Sequence, residues 1–462
     1  MTRLLRLLLV LILLAPLPAL AMTIERVTSP GGIEAWLVRD RSIPVVALEY
    51  TFRGGAALEA AGREGTSSLL AAMLIEGAGD FESQRFQGAL EDRVVSLGFD
   101  AGLDTFNGSL KTLTENLDFA ADMLRLALTV PRFDAADLER VKARSAIGLR
   151  RAAEEPGTIA GRLWMSTAFA GHPYGRPVRG TPEGVMALDA GALRAYLRQH
   201  LTRDRLIVGA AGDITPEALG RLVDHVFAGL PARGGEARVP DAAPKDLGRT
   251  LVVRRPVPQS VVTLGHEGVK RDDPDYYAAT IVNYILGGGG FNSRLTTEVR
   301  EKRGLAYSVY SYIGAYDHAG LMMGGTATEN ARVAQSLEVI RREWQRMHDE
   351  GPSESELANA KTYLTGSFPL RLDASNRIAR LMVTIQYDEL GIDYLDRRSA
   401  LINGVTLADA RRVARRLFNA DRLLTVVVGE PVGLTGAEEV PPEAASGDTG
   451  RPTRPTTPAG GG

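Results

Sequence analysis

Apolar and polar positions along this chain alternate between two kinds of run. Ile33 to Val38 and Val45 to Phe52 are short and rich in β-branched and aromatic residues. Polar Arg39-Asp40-Arg41-Ser42 separates them, so they read as a pair of strands. Other segments repeat at helical spacing. Phe81 to Leu97 and Leu117 to Leu128 predict amphipathic helices, and Ser67 to Glu76 predicts a short buried helix that ends at Gly77.

The pattern then repeats. Asp204 to Asp213 reads DRLIVGAAGD, and Asp421 to Glu430 reads DRLLTVVVGE. Each follows an amphipathic helix, marked by Leu193, Tyr196 and Leu197 in one case and Val413, Leu417 and Phe418 in the other. The helix start at Phe133 to Lys142 is echoed by Pro352 to Lys361, both with acids in the first turn. The helix ending at Gly77 is echoed by Tyr277 to Leu286. Three matches in one order, about 215 to 220 residues apart, predict a duplicated α+β domain. Each copy is expected to be a mostly antiparallel sheet covered by helices on one face. The copies span residues 22–231 and 250–431, joined by a Gly-, Pro- and charge-rich linker at 232–249.

The two ends differ from this pattern. Residues 1–21 carry Arg3 and Arg6, the apolar run Leu7 to Leu14, and Ala19-Leu20-Ala21, the order of a cleavable export signal. A periplasmic or secreted location follows, without stable membrane insertion. The absence of cysteine excludes disulfides and lipoprotein attachment. Residues 432–462 are Pro, Gly, Thr and Glu with few apolar side chains, an expected disordered tail. Removing Arg3 and Arg6 from the 54 basic side chains leaves 52 against 56 acidic ones, a net charge of −4. That balance argues against a nucleic-acid partner.

Chemistry enters with a stretch running from Leu286-Gly287-Gly288-Gly289-Gly290-Phe291-Asn292-Ser293-Arg294-Leu295 to Val299-Arg300-Glu301-Lys302-Arg303-Gly304-Leu305-Ala306-Tyr307-Ser308-Val309. With Gly65-Thr66 and its helix, His172-Pro173-Tyr174-Gly175 and Gly180-Thr181-Pro182-Glu183, this stretch resembles the pitrilysin/insulinase family of zinc metallopeptidases, in particular the two-domain members related to mitochondrial processing peptidase. The resemblance covers nearly all of residues 24–431 and implies a half-clamshell that encloses a chamber with a second chain. In such pairs one chain carries H-x-x-E-H and a downstream glutamate for zinc. The other supplies an arginine and a tyrosine seven residues apart, near the scissile carbonyl.

Here the ligand slots hold Ser68, Ala72 and Gly148, and the base slot holds Ala71. None can bind zinc or move a proton. Arg300 and Tyr307 fit the other role. Gly304 argues that Arg300 lies on the last turns of a helix and Tyr307 on the following strand. The bland reading makes Arg300 one of several solvated charges and Tyr307 a packed strand residue.

Gly287, Gly288, Gly289 and Gly290 are not a phosphate loop, because no Lys-Ser or Lys-Thr follows them. They read as a flexible loop after a helix C-cap, and the resemblance adds possible gating of the chamber mouth. His172, His200, His225, His266, His318 and His348 never stand two or four apart, so they offer no substitute metal site. The expected function is a non-catalytic, substrate-binding subunit. It is expected to bind no cofactor, to be inactive alone, and to act on peptides beside a zinc-bearing H-x-x-E-H chain of similar size. A structural or peptide-holding protein is the alternative.

Overall fold

The continuous apolar strands set the architecture. In the computed structural model, which describes residues 22–236 and 238–442, Val45–Arg53 is buried along nearly its whole length, and Leu424–Gly429 along all of it. A strand buried on both faces belongs to a sheet covered on both faces. The strands in chain order are β1 Glu25–Thr28, β2 Glu34–Arg39, β3 Val45–Arg53, β4 Gly77–Ala78, β5 Phe81–Glu82, β6 Ser96–Ala101, β7 Thr105–Leu113, β8 Leu206–Gly212, β9 Thr250–Arg254, β10 Gln259–Glu267, β11 Ala306–Ala315, β12 Gly320–Glu329, β13 Leu424–Gly429 and β14 Glu438–Glu439.

Two six-stranded sheets result, ordered β1-β2-β8-β3-β7-β6 and β11-β12-β10-β13-β9-β14, beside a small β4-β5 ribbon. Read from opposite ends the orders coincide, and the pairing senses match as well. β2–β8 and β9–β13 are parallel, while the β3 and β10 pairings are antiparallel. The sheets differ at one edge, where β1 runs antiparallel to β2 but β14 runs parallel to β9. The duplication read from the repeat is therefore a duplication of topology.

Three local expectations change. The run from Phe81 to Leu97 is not one helix: it holds β5, the helix Ser83–Asp92 and the start of β6, because Val94 takes a φ of 53° that ends the helix. Residues 432–442 are not featureless. Glu438 and Glu439 extend the second sheet, pairing with Arg249 (2.6 Å) and Arg254 (2.8 Å). The remainder of that tail, like the expected export signal at 1–21, lies outside the described residues.

The third change concerns the layers. Helices of each half cover one face of its own sheet, but the second face is covered by a helix from the other half. Helix Pro156–Ala168 lays Ile159, Ala160, Leu163 and Trp164 on Leu424, Val426 and Val428 of β13 and on Leu251 and Val253 of β9. Helix Ser375–Tyr387 lays Ile378, Ala379, Met382 and Ile385 on Trp36, Val38, Ala47 and Ala211 of the first sheet. These helices follow equivalent positions in the two copies, so the exchange is reciprocal. Gly209 makes room for it, since a Cβ there would lie 2.9 Å from the Met382 Cβ. Among its described residues the 232–249 connection contains no helix or strand, yet it is pinned to both halves. His172 Nε2 meets the Pro240 carbonyl at 2.9 Å, and the Ala242 N–H donates to the His318 carbonyl at 2.8 Å.

Candidate functional site

The helix Thr66–Met73 packs against the helix Ala135–Ala152, so the slots at Ser68, Ala71, Ala72 and Gly148 sit on neighbouring elements. Ser68 Oγ donates to the Val178 carbonyl (3.1 Å), and Ala71 is buried. A carboxylate cluster ties the two elements together. Buried Glu76 pairs with Arg140 (2.7 Å) and Arg144 (3.3 Å) and accepts from Ser83 Oγ (2.6 Å). Burial opposes its charge, but Arg140, Ser83 and Arg144 together hold the Glu76 carboxyl below its usual range. Among the described residues, no group of three or more His, Cys, Asp or Glu is placed to hold a metal ion.

Glu59 is buried at the N-terminus of the Thr66–Met73 helix. It accepts from the N–H groups of Gly65 (2.8 Å) and Ser67 (2.6 Å) and from Ser67 Oγ (2.5 Å). Its position favours negative charge, yet desolvation outweighs the donors and pushes the carboxyl up to about 7. An acid raised in the folded state contributes stability that is fully present below its unfolded value of 4.5 and lost as pH rises through about 7. Resistance to denaturant is therefore expected to fall between roughly pH 5 and pH 8, and Glu59→Gln should flatten that fall. An identical slope in wild type and variant would assign the pH dependence to other groups.

The Arg300 region is built from an unusual run of backbone. Helix Tyr276–Asn283 continues into a π-helical turn at Tyr284–Gly288, then a 3₁₀ turn at Gly290–Asn292 and a second π-helical segment at Thr296–Glu301. π-Bulges of this kind gather at functional sites. The glycine run is thus not a loose loop along its length. Gly287 is buried, and a Cβ on it would lie 2.5 Å from Ser311 Oγ and 2.6 Å from Ser311 N. The glycines let the π turn close onto β11, and only Gly290 takes a left-handed φ of 58° with open space around it. Arg294 anchors the following segment by forking onto Glu356 at 2.6 and 2.7 Å. Burial alone would raise the Glu356 carboxyl, but Arg294 and the capping Ser353 hold it down at about 2.

Arg300 and Tyr307 are brought together. A β-bulge between Ala306 and Ser308 leaves Tyr307 out of the β11–β12 register and 80% exposed, the kind of break that re-aims a side chain. The Arg300 guanidinium lies 4.9 Å from the Tyr307 ring centre and 4.9 Å from that of Phe291. Neighbouring cations are neutralised: Lys302 and Arg303 both pair with Glu298 at 2.6 Å, and Arg294 with Glu356. Among the described residues, no carboxylate lies within ion-pair distance of Arg300. An arginine held by two rings, without an acid, keeps its donors free for a carbonyl or carboxylate. Sequence reasoning missed Phe291, whose only signal was an aromatic residue directly after four glycines.

The description "Peptidase M16 inactive domain" matches residues 187–364, a span that includes Arg300 and Tyr307. An uncharacterized zinc protease, ML0855, of Mycobacterium leprae is 30% identical over 315 residues, covering 66% of this chain and 69% of the relative. The chain belongs to the peptidase M16 (pitrilysin/insulinase) family. It is also 26% identical to the "Non-peptidase homolog YmxG" of Helicobacter pylori, over 79% of this chain and 83% of that one. The crystal structure of a peptidase M16 inactive domain from Pseudomonas fluorescens superposes with a TM-score of 0.82 at 26% identity, covering 90% of this chain and 99% of that one. The inactive-domain match, together with the non-peptidase homologue, supports a non-catalytic M16 chain.

Proposed function

We propose that this M16 chain is the substrate-binding subunit of a two-chain zinc peptidase, completing the partner's active site with Arg300 and Tyr307. The observation that carries the reading is the Arg300 guanidinium, stacked between Phe291 and Tyr307 and, among the described residues, left without an acid beside an exposed phenol. A peptide carbonyl attacked by zinc-bound hydroxide develops negative charge on oxygen. A phenol O–H aimed at that oxygen stabilises the transition state, while the guanidinium holds the substrate in ground and transition states alike. The zinc, the attacking water and the base belong to the partner, an H-x-x-E-H chain of similar size. The substrates are peptides or unfolded segments that fit an enclosed chamber. The leader ending in Ala19-Leu20-Ala21 supports export, and the complex is proposed to work in the periplasm or outside the cell.

Affinity purification of the tagged chain from its own cells tests the pairing. The expected result is a roughly equimolar second chain of similar size carrying H-x-x-E-H. Recovery of this chain alone, under low-salt conditions that preserve weak complexes, would favour a structural protein.

A further inference from the structure

A second exposed aromatic feature lies on the same strand as Tyr307. Among the described residues β11 is the edge strand of its sheet and pairs only with β12. Beyond the bulge its side chains alternate, with Val309, Ser311 and Ile313 turned to the helix-covered face and Tyr310 and Tyr312 to the other. The exchanged helix Pro156–Ala168 covers that other face at β10 and β13 but leaves Tyr310 49% and Tyr312 44% exposed. The two rings stack, with centres 6.2 Å apart and planes at 26°.

The floor beneath them is cut to fit. Tyr310 pairs across to Gly325, where a Cβ would lie 2.7 Å from the tyrosine hydroxyl and 2.9 Å from its Cζ. Glycine therefore lets the ring lie flat on the sheet. Two half-exposed, stacked tyrosines on a glycine floor form a surface for side chains to dock against, the composition that interfaces enrich. Tyr310 and Tyr312 stand three and five residues from Tyr307, roughly 10 and 17 Å along an extended strand. The 6.2 Å ring spacing is close to the ~6.7 Å between alternate side chains of an extended peptide.

Resting on the peptide-binding reading above, we propose that Tyr310 and Tyr312 form a specificity subsite for extended peptide segments bearing bulky apolar side chains at two positions two residues apart. Arg300 engages the same segment through a backbone carbonyl or carboxylate. The unpaired Arg300 at one end of the stripe favours a peptide, rich in such acceptors, over an apolar partner surface.

Fluorescence anisotropy with the purified full chain tests this, using two labelled Gly/Ser decapeptides. One carries phenylalanine at two positions two apart, and the other carries serine there. The phenylalanine peptide is expected to bind about ten-fold tighter or more. Tyr310→Ser/Tyr312→Ser should abolish that preference while leaving the serine peptide's affinity and the melting temperature nearly unchanged. Tyr310→Phe/Tyr312→Phe should keep it. Equal binding of both peptides by wild type, or a preference that survives the serine variant, overturns the subsite and leaves peptide binding standing. A changed sedimentation coefficient in the serine variant without a changed preference reassigns the face to a chain–chain contact and also overturns it. Failure of both peptides to bind wild type overturns the peptide-binding reading and the subsite with it.

Discussion

In a complex reconstituted with the proposed zinc-bearing partner, Tyr307→Phe is expected to lower kcat about 100-fold, the loss typical of one oxyanion donor, or about 3 kcal/mol. The melting temperature should hardly move, because Tyr307 is 80% exposed at a bulge and supports little core. Arg300→Ala should act differently. Its charge is present in both ground and transition states, so the main effect is a rise in KM of roughly ten-fold or more with a smaller change in kcat. Losing the cation also frees the Phe291 and Tyr307 rings, so Arg300→Lys, which keeps charge without the planar fork, should restore the activity only in part. Steady-state kinetics on the three variants separates these effects. Full activity in both Tyr307→Phe and Arg300→Ala would reduce the chain to a scaffold.

Trp164→Ala is expected to be among the most destabilising substitutions in the molecule, at about 3–5 kcal/mol. Trp164 is fully buried, and its indole N–H donates to the Leu424 carbonyl at 3.0 Å, across the boundary between the halves. Removing it opens a cavity under β13 and leaves a buried carbonyl without its donor. Because the residue lies in the first half and its hydrogen-bond partner in the second, the loss should reach the second sheet as well as its own helix. Hydrogen exchange read by mass spectrometry should show faster exchange in β13 as well as around residues 156–168. Unaltered protection of β13 in the variant would mean that the exchanged helix does not stabilise the second sheet.

Much of this was visible in the sequence, for a physical reason. β8 and β13 are short apolar runs behind amphipathic helices, and a repeated pattern of that kind survives divergence because each copy must bury the same faces. The pairing of Arg300 with Tyr307 came from the resemblance to the M16 family, and Gly304, which takes a left-handed φ of 60° between them, marks where the chain leaves the helix. The helix exchange was not legible. Trp164 and Met382 look like ordinary core positions, and periodicity says that a face is buried without saying which sheet buries it. Nor were the π-helical turns at 284–288 and 296–301: four successive glycines suggest freedom, whereas Gly287 is glycine because β11 comes too close for a Cβ. Residues 438–439 were hidden by their composition, since two glutamates carry no strand signal and join the sheet through edge pairing and the arginines at 249 and 254.

In the proposed role this chain lends substrate-binding groups to a metal centre carried by another chain. Zinc content and peptide hydrolysis, measured on each separated chain and on their equimolar mixture, test it most directly. The expected result is no stoichiometric zinc and no hydrolysis for this chain alone, zinc in the partner alone, and full turnover only in the mixture. One zinc per molecule of this chain, together with chelator-sensitive hydrolysis in the partner's absence, would contradict it.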